Sequence, residues 1–288
     1  MKLTNISFVK SMMTEQRINF KKKFGQNFLI SENVITHIAD SLTFRDNVIE
    51  IGPGAGALTY RLCETCKSVT AVEIDRQLIP ALEKNLGEFK NLKLICGDFL
   101  KTDINELTAA DYAVAANLPY YITTPIIMYL LELQRKPEEM VIMVQKEVAD
   151  RLCSSAGDDD YGAITATVAW YGKAKKLFNI SAGNFIPAPK IDSAVIKITP
   201  YKTPLYEIKN EELLKKIIKG AFGQRRKTLA NALAGEFNFN VNDKKNLTDL
   251  IVLCGYSENI RGEKLDIYDF VKLANAMYDS HLCAEYIK

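Results

Sequence analysis

The apolar run Val48-Ile49-Glu50-Ile51 leads directly into Gly52-Pro53-Gly54-Ala55-Gly56, after which apolar residues recur at helical spacing through Leu62. Strand, glycine-rich turn and helix in that order constrain the chain strongly. The glycines let the backbone turn sharply where a strand ends, and the following helix must cross over to start a parallel neighbour. The same alternation continues: a strand over 69–72 that ends on Glu73, a helix over 78–86, strands over 92–96 and 112–116, a helix over 125–133 and a strand over 140–144. Pro125 suits the first turn of its helix, where a missing N–H costs nothing. Strands alternating with helices predict an α/β fold with a mostly parallel sheet covered on both faces.

Upstream of this pattern, Ser31 is placed to cap a helix in which Val34, Ile35, Ile38, Ala39 and Leu42 share a face. After residue 175 the pattern changes. Two runs, 176–180 and 194–198, flank a segment holding Pro187 and Pro189, which suits a hairpin-like end to the sheet with one antiparallel strand. Pro200, Thr203 and Pro204 mark a boundary. Beyond it, Leu213, Leu214, Ile217 and Ile218, then Leu229 and Leu233, repeat at helical spacing; a short apolar run over 250–253 follows, and Phe270, Leu273 and Met277 resume the helical pattern. The expected division is therefore an α/β domain over 1–204, with a basic N-terminal arm, and a small helical domain over 205–288. A length of 288 residues with 48% hydrophobic content is in keeping with two such domains.

No apolar run reaches the roughly 18 residues of a membrane span. The N-terminus has neither a long apolar stretch nor a small-residue cleavage site, so a cytoplasmic protein is expected. Of the six cysteines, Cys63 and Cys66 form a lone CxxC without a second pair, and the two histidines are distant in sequence; no metal site is expected, and the thiols read as reduced. The formal charge of +2 says little, but its distribution is uneven. Lys21, Lys22 and Lys23 crowd the N-terminal arm, and Arg225, Arg226 and Lys227 follow Lys215, Lys216 and Lys219. Two basic clusters favour a polyanionic partner over two merely solvated faces.

The candidate site residues sit at strand ends. A carboxylate at the tip of the second strand, here Glu73, can accept both hydroxyls of a ribose. Asp98, after the third strand, can accept from the exocyclic amine of adenine. The glycine turn alone would also suit a nicotinamide cofactor, or no ligand at all. It reads GxGxG rather than GxGxxG, and together with Glu73 and Asp98 it fits S-adenosylmethionine better.

At the end of the fourth strand stands Asn117-Leu118-Pro119-Tyr120. These residue types suit methyl transfer to an exocyclic amine, whose lone pair is delocalised into its ring. The Asn117 side-chain oxygen and the Leu118 carbonyl can accept from the amine, favour a pyramidal nitrogen and stabilise the positive charge that grows there. Pro119 holds that carbonyl, and Tyr120 offers a ring for a base to stack on. The methylated ammonium is acidic enough to lose its proton to water, so few histidines are needed.

Six blocks in order carry a resemblance: Lys23-Phe24-Gly25-Gln26-Asn27-Phe28-Leu29, the glycine turn with Glu50, Asn117-Leu118-Pro119-Tyr120, Gln145-Lys146-Glu147-Val148, Phe185-Ile186-Pro187-Ala188-Pro189-Lys190-Ile191-Asp192-Ser193-Ala194-Val195, and Phe222-Gly223-Gln224-Arg225-Arg226-Lys227-Thr228-Leu229. In these the chain resembles the KsgA family of small-subunit ribosomal RNA adenine dimethyltransferases. The resemblance implies a Rossmann-like, seven-stranded class I methyltransferase domain with a small C-terminal helical, RNA-binding domain, acting as a monomer. It implies S-adenosylmethionine as cofactor, held by Asn27, Leu29, Gly52, Glu73, Asp98 and Asn117. It places Phe185 across the target base from Tyr120, and implies that two adjacent adenosines near the 3′ end of 16S rRNA, in the 30S subunit or its precursor, receive two methyl groups each. The related 23S rRNA enzymes usually carry Ile in place of Leu118 and tend to lack Gly25 and the 224–228 block; this chain sides with the small-subunit enzymes. A non-catalytic nucleic-acid-binding protein on the same fold is disfavoured by the intact Glu73, Asp98 and 117–120. A DNA adenine methyltransferase is disfavoured by the 224–228 block.

Overall fold

The computed structural model describes residues 2–15 and 27–282. Nine strands and twelve α-helices follow one another along these residues. In chain order they are α1 (Ile6–Glu15), β1 (Phe28–Leu29), α2 (Glu32–Asp40), β2 (Asn47–Ile51), α3 (Ala57–Thr65), β3 (Ser68–Glu73), α4 (Ile79–Leu86), β4 (Leu92–Cys96), α5 (Ile104–Leu107), β5 (Ala113–Asn117), α6 (Thr123–Glu132) and β6 (Met140–Gln145). There follow α7 (Lys146–Leu152), α8 (Ala163–Tyr171), β7 (Gly172–Ile180), β8 (Phe185–Ile186), β9 (Ser193–Pro200), α9 (Glu211–Gly223), α10 (Leu229–Phe237), α11 (Val241–Leu253) and α12 (Ile267–Asp279).

Seven strands form one sheet in the order β4-β3-β2-β5-β6-β9-β7. β2 pairs in parallel with both β3 and β5, and β5 in parallel with β6. β9 runs antiparallel to β6, as the proline-containing hairpin segment predicts. The chain winds outward from β2 to β4, then returns to place β5 on the other side of β2. That reversal opens a crevice beyond the carboxyl ends of β2 and β5. The central strands read as continuous apolar runs because both faces are covered; Val114, Ala115, Ala116, Val141 and Ile142 are wholly buried. Ser31 caps α2 by accepting from the Val34 N–H at 3.5 Å.

The chain divides into two compact units: residues 1–149 with 173–200, and 150–172 with 201–288. The first holds the sheet. The second departs from the expected boundary at 204/205 by including 150–172, in which α8 lies. Within it α8 carries Tyr171, whose hydroxyl donates to Glu211 of α9 at 2.6 Å, while the Tyr161 hydroxyl donates to the Leu265 carbonyl at 2.9 Å. Four helices of this unit start on a side-chain cap: Asn210 for α9, Thr228 for α10, Asn240 for α11 and Asp266 for α12. The apolar run expected over 250–253 is the last turn of α11: Leu247 and Ile251, four residues apart, are buried, whereas Leu253 is 83% exposed.

One buried carboxylate ties the sheet to the loop that feeds it. Glu139, next to β6, accepts from the Thr43 hydroxyl at 2.8 Å and the Phe44 N–H at 2.8 Å, and pairs with Lys197 of β9. Burial alone would raise its pKa, but the Lys197 ammonium and these donors hold it below the ordinary carboxylate value. Glu139→Ala leaves the Thr43 and Phe44 donors unsatisfied and should cost about 1–3 kcal/mol of unfolding free energy near neutral pH. Because the folded pKa is depressed, this stabilisation is present above the unfolded pKa and is lost as pH falls through the folded one. Denaturant titrations of both proteins at neutral and strongly acidic pH should therefore show the gap closing on the acid side.

Candidate active site

The glycine turn after β2 is held at both ends by backbone bonds, from the Gly52 N–H to the Val72 carbonyl and from the Gly56 N–H to the Pro53 carbonyl, each at 2.9 Å. Two glycines are required by contact as well as by conformation. A Cβ on Gly56, at φ +86°, would stand 2.9 Å from Leu82 Cδ2, so the residue lets α3 and α4 close on the turn. A Cβ on Gly54, at φ +59°, would press at 3.2 Å on the ring of Phe28.

Glu73 ends β3 and is buried. Its Oε2 accepts from the Gly54 N–H at 3.1 Å and its Oε1 from the Asp75 N–H at 2.8 Å. Burial raises its pKa, and the two backbone donors oppose that rise. Its carboxylate therefore fixes the turn while facing the crevice. Asp98 follows β4; its Oδ1 accepts from the Leu100 N–H at 3.2 Å, and its Oδ2 lies 3.8 Å from the Lys101 ammonium.

At the end of β5, Asn117 donates through Nδ2 to the Asn27 carbonyl at 3.3 Å. Leu118 is buried, and Tyr120 opens a short 3-10 turn (Tyr120–Ile122). The Tyr120 side chain lies outside the described residues, as do Lys21, Lys22 and Lys23. A two-stranded antiparallel ladder brings the N-terminal segment to the site: β1 pairs with β8, with Phe28 opposite Ile186 and Leu29 opposite Phe185. The Ile30 N–H extends the ladder to the Asn184 carbonyl at 2.9 Å. Phe185 is 4% exposed, a wall residue rather than a projecting one.

These parts converge. Asn27, Leu29, Gly52, Glu73, Asp98, Asn117, Leu118, Pro119 and Phe185 all line one cavity in the first unit. Three residues that the sequence reading did not single out shape its rim: Ile74, Leu100 and Tyr121 line it and are exposed large hydrophobics. Ile74 and Leu100 directly follow or closely follow the strand-end acids, and that adjacency was the available signal. The floor holds Glu50, whose Oε2 is buried without a hydrogen-bond partner. An acceptor pair at a strand tip, an apolar rim and a buried acid suit a ligand that joins a ribose and a flat base to a cationic group, and S-adenosylmethionine is such a ligand.

The second unit carries the other basic cluster, in the turn between α9 and α10. Arg225 is engaged there: its Nη2 donates to the Asp159 and Tyr161 carbonyls at 3.0 and 2.9 Å, and its Nε lies 3.7 Å from Glu263. Arg226 and Lys227 are exposed. Cys63 and Cys66 are buried free thiols, and burial first, with the charge of Glu50 adding, pushes Cys63 up to about 12. Among the described residues no helix is long and apolar enough to cross a membrane.

Residues 17–258 match the family model for ribosomal RNA adenine dimethylases. A ribosomal RNA small subunit methyltransferase A from Streptococcus thermophilus is 41% identical, over 98% of this chain and all of its own length. The protein of that name from Listeria monocytogenes is 42% identical over 90% of this chain and 91% of its own. Among solved structures, a dimethyladenosine transferase from Plasmodium falciparum superposes with a TM-score of 0.77 at 27% identity, covering 88% of this chain and 98% of that one. The 23S rRNA methyltransferase ErmE shares the fold, with a TM-score of 0.68 at 23% identity, over 88% of this chain and all of its own. With its family model spanning the sheet and most of the helices, and relatives alike over nearly their full length, this chain belongs to the ribosomal RNA adenine dimethylase family.

Proposed function

We propose that this protein dimethylates N6 of two adjacent adenosines near the 3′ end of 16S rRNA, using S-adenosylmethionine, in the 30S subunit or its precursor. The observation that carries the reading is the convergence of Asn117, at the tip of β5, with Glu73 and Asp98 on one cavity. The name shared by the full-length relatives supports the small subunit as the substrate. A ribosomal substrate favours the cytoplasm, and a monomer suffices because one chain supplies all the residues named.

S-adenosylmethionine supplies an electrophilic methyl group. The residues of the chain do the rest. Glu73 accepts the ribose hydroxyls, Asp98 the adenine amine, and Asn27, Leu29 and Gly52 form the surrounding wall. Asn117 spends its nitrogen on the Asn27 carbonyl, so its oxygen, on the opposite branch of the amide, is the atom offered to the target amine. With the Leu118 carbonyl it accepts both N–H bonds of that amine and bears on the charge that develops there. Tyr120 and Phe185 hold the base, which must leave its stack at a cost of a few kcal/mol. Arg226 and Lys227 contact phosphates, while Arg225 braces the turn that presents them.

Glu73→Ala removes the ribose acceptor and the anchor of the glycine turn together; calorimetry should show S-adenosylmethionine affinity falling at least about tenfold in a protein that keeps its circular dichroism, the equivalent of one lost charge-assisted hydrogen bond. Single-turnover transfer at saturating RNA should fall by about 10²–10³ in Asn117→Ala. Tyr120→Phe should keep most of the rate, whereas Tyr120→Ala loses the roughly 1–3 kcal/mol of stacking; equal losses in the two would transfer the role to the hydroxyl. For RNA binding, the Arg226→Ala, Lys227→Ala double variant should flatten the plot of log K against log salt by about 0.7–0.9 per residue. Arg225→Ala should instead lower the melting temperature and leave the slope close to that of the parent.

A further inference from the structure

Glu50 is a buried acid that the mechanism above does not use. It is 1% exposed, lines the cavity, and its Oε2 has no hydrogen-bond partner. Within the sheet it stands between Ala71 of β3 and Ala115 of β5, which offer it nothing polar from their side chains. The groups that face it from the packed elements are Glu73 on β3 and, on α3, the thiol of Cys63 and the hydroxyl of Thr59. The Thr59 hydroxyl offers it a neutral donor, not a charge. None of these groups is a cation, and one is a second buried carboxylate. Two carboxylates cannot both stay ionised in so dry a place without a positive charge. S-adenosylmethionine brings a sulfonium and an ammonium against a single carboxylate of its own, a net positive charge.

We propose that Glu50 is a specificity residue for the positive charge of the cofactor: it is protonated in the free protein and gives its proton to water when the cation is bound. The proposal rests on the reading of this cavity as the S-adenosylmethionine site. Burial, with the charge of Glu73 adding and the Thr59 hydroxyl opposing, places the free acid at about 8, so at neutral pH it is mostly neutral. A ligand that pulls it down must release the proton, and its affinity is lost as pH falls. The carboxylate then discriminates by charge. A neutral nucleoside thioether fills the same adenosine subsite, leaves Glu50 protonated and gains nothing from it.

Isothermal calorimetry at pH 6.5, in buffers of different ionisation enthalpy, counts the protons. With the full-length protein, S-adenosylmethionine should release close to one proton, and 5′-methylthioadenosine, which lacks both charges, should release none. Between pH 6 and 7 the affinity for S-adenosylmethionine should rise close to tenfold. In Glu50→Gln the release should vanish and the affinity should become flat with pH, with the preference for the charged ligand reduced. No release from the parent protein, equal release with both ligands, or undiminished release from a folded Glu50→Gln would each overturn the proposal. The comparison of two ligands on the parent protein stands even if the variant does not fold. Undiminished S-adenosylmethionine affinity in Glu73→Ala would instead reject the cofactor site itself, whatever the proton count.

Discussion

The site depends on the carboxylate of Glu73. Its two oxygens take the N–H of Gly54 and the N–H of Asp75, so the tip of β3 is bonded both to the turn after β2 and to its own exit loop. Three pieces of chain that would otherwise end independently are fixed around one buried group. Parallel strands make this possible, because they deliver their carboxyl ends to the same edge. The reversal of winding between β2 and β5 then adds Asn117 to that edge, and the β1–β8 ladder closes the remaining wall. A backbone so restrained holds acceptors in place without needing to reorganise during the reaction, which is where such sites gain their advantage.

The helical unit uses a different device. Four of its helices begin on a side chain that accepts the first free N–H, so each start is specified locally. The turn between α9 and α10 is specified by Arg225, whose guanidinium bonds two carbonyls near residue 160. A guanidinium suits this role because its planar fork reaches two acceptors at once and stays charged. Of the three basic residues of the cluster, Arg225 is thus tied by hydrogen bonds to a neighbouring loop, while all three are exposed.

Most of the sheet was legible because its signals are local. The strand runs from 48 to 116 end in glycines, acids or Asn117, and the structure places these and the run over 140–144 within a residue or two of their expected bounds. Strands β1 and β8 were not legible, since two residues each carry no periodicity; Asn27 and Leu29 entered only through the resemblance of their motif. Helix α8 was missed for another reason. Ala163-Ile164-Thr165-Ala166-Thr167-Val168-Ala169-Trp170-Tyr171 is apolar or β-branched nearly all round, so it shows no polar face from which a helical period could be read. The membership of 150–172 in the second unit could not be read either, because it depends on where the chain returns in space. Glu50 was visible as a residue of the glycine motif, but its isolation is a property of packing. The three-residue basic run read as one patch because sequence does not show that carbonyls near residue 160 lie within reach of Arg225.

The β1–β8 ladder has a consequence for the order of events as the chain is made. Residue 28 must wait for residue 186, so the wall carrying Asn27, Leu29 and Phe185 cannot form until most of the first unit has been synthesised. The glycine turn, Glu73, Asp98 and Asn117 all emerge earlier. A nascent chain that has reached β6 thus holds the acceptors of the site with one side still open, and long-range pairings of this kind are slow to form because the loop must close before the contact rewards it. Competence to hold a ligand is in this sense a late checkpoint in the synthesis of the chain, set by the ladder rather than by the sheet.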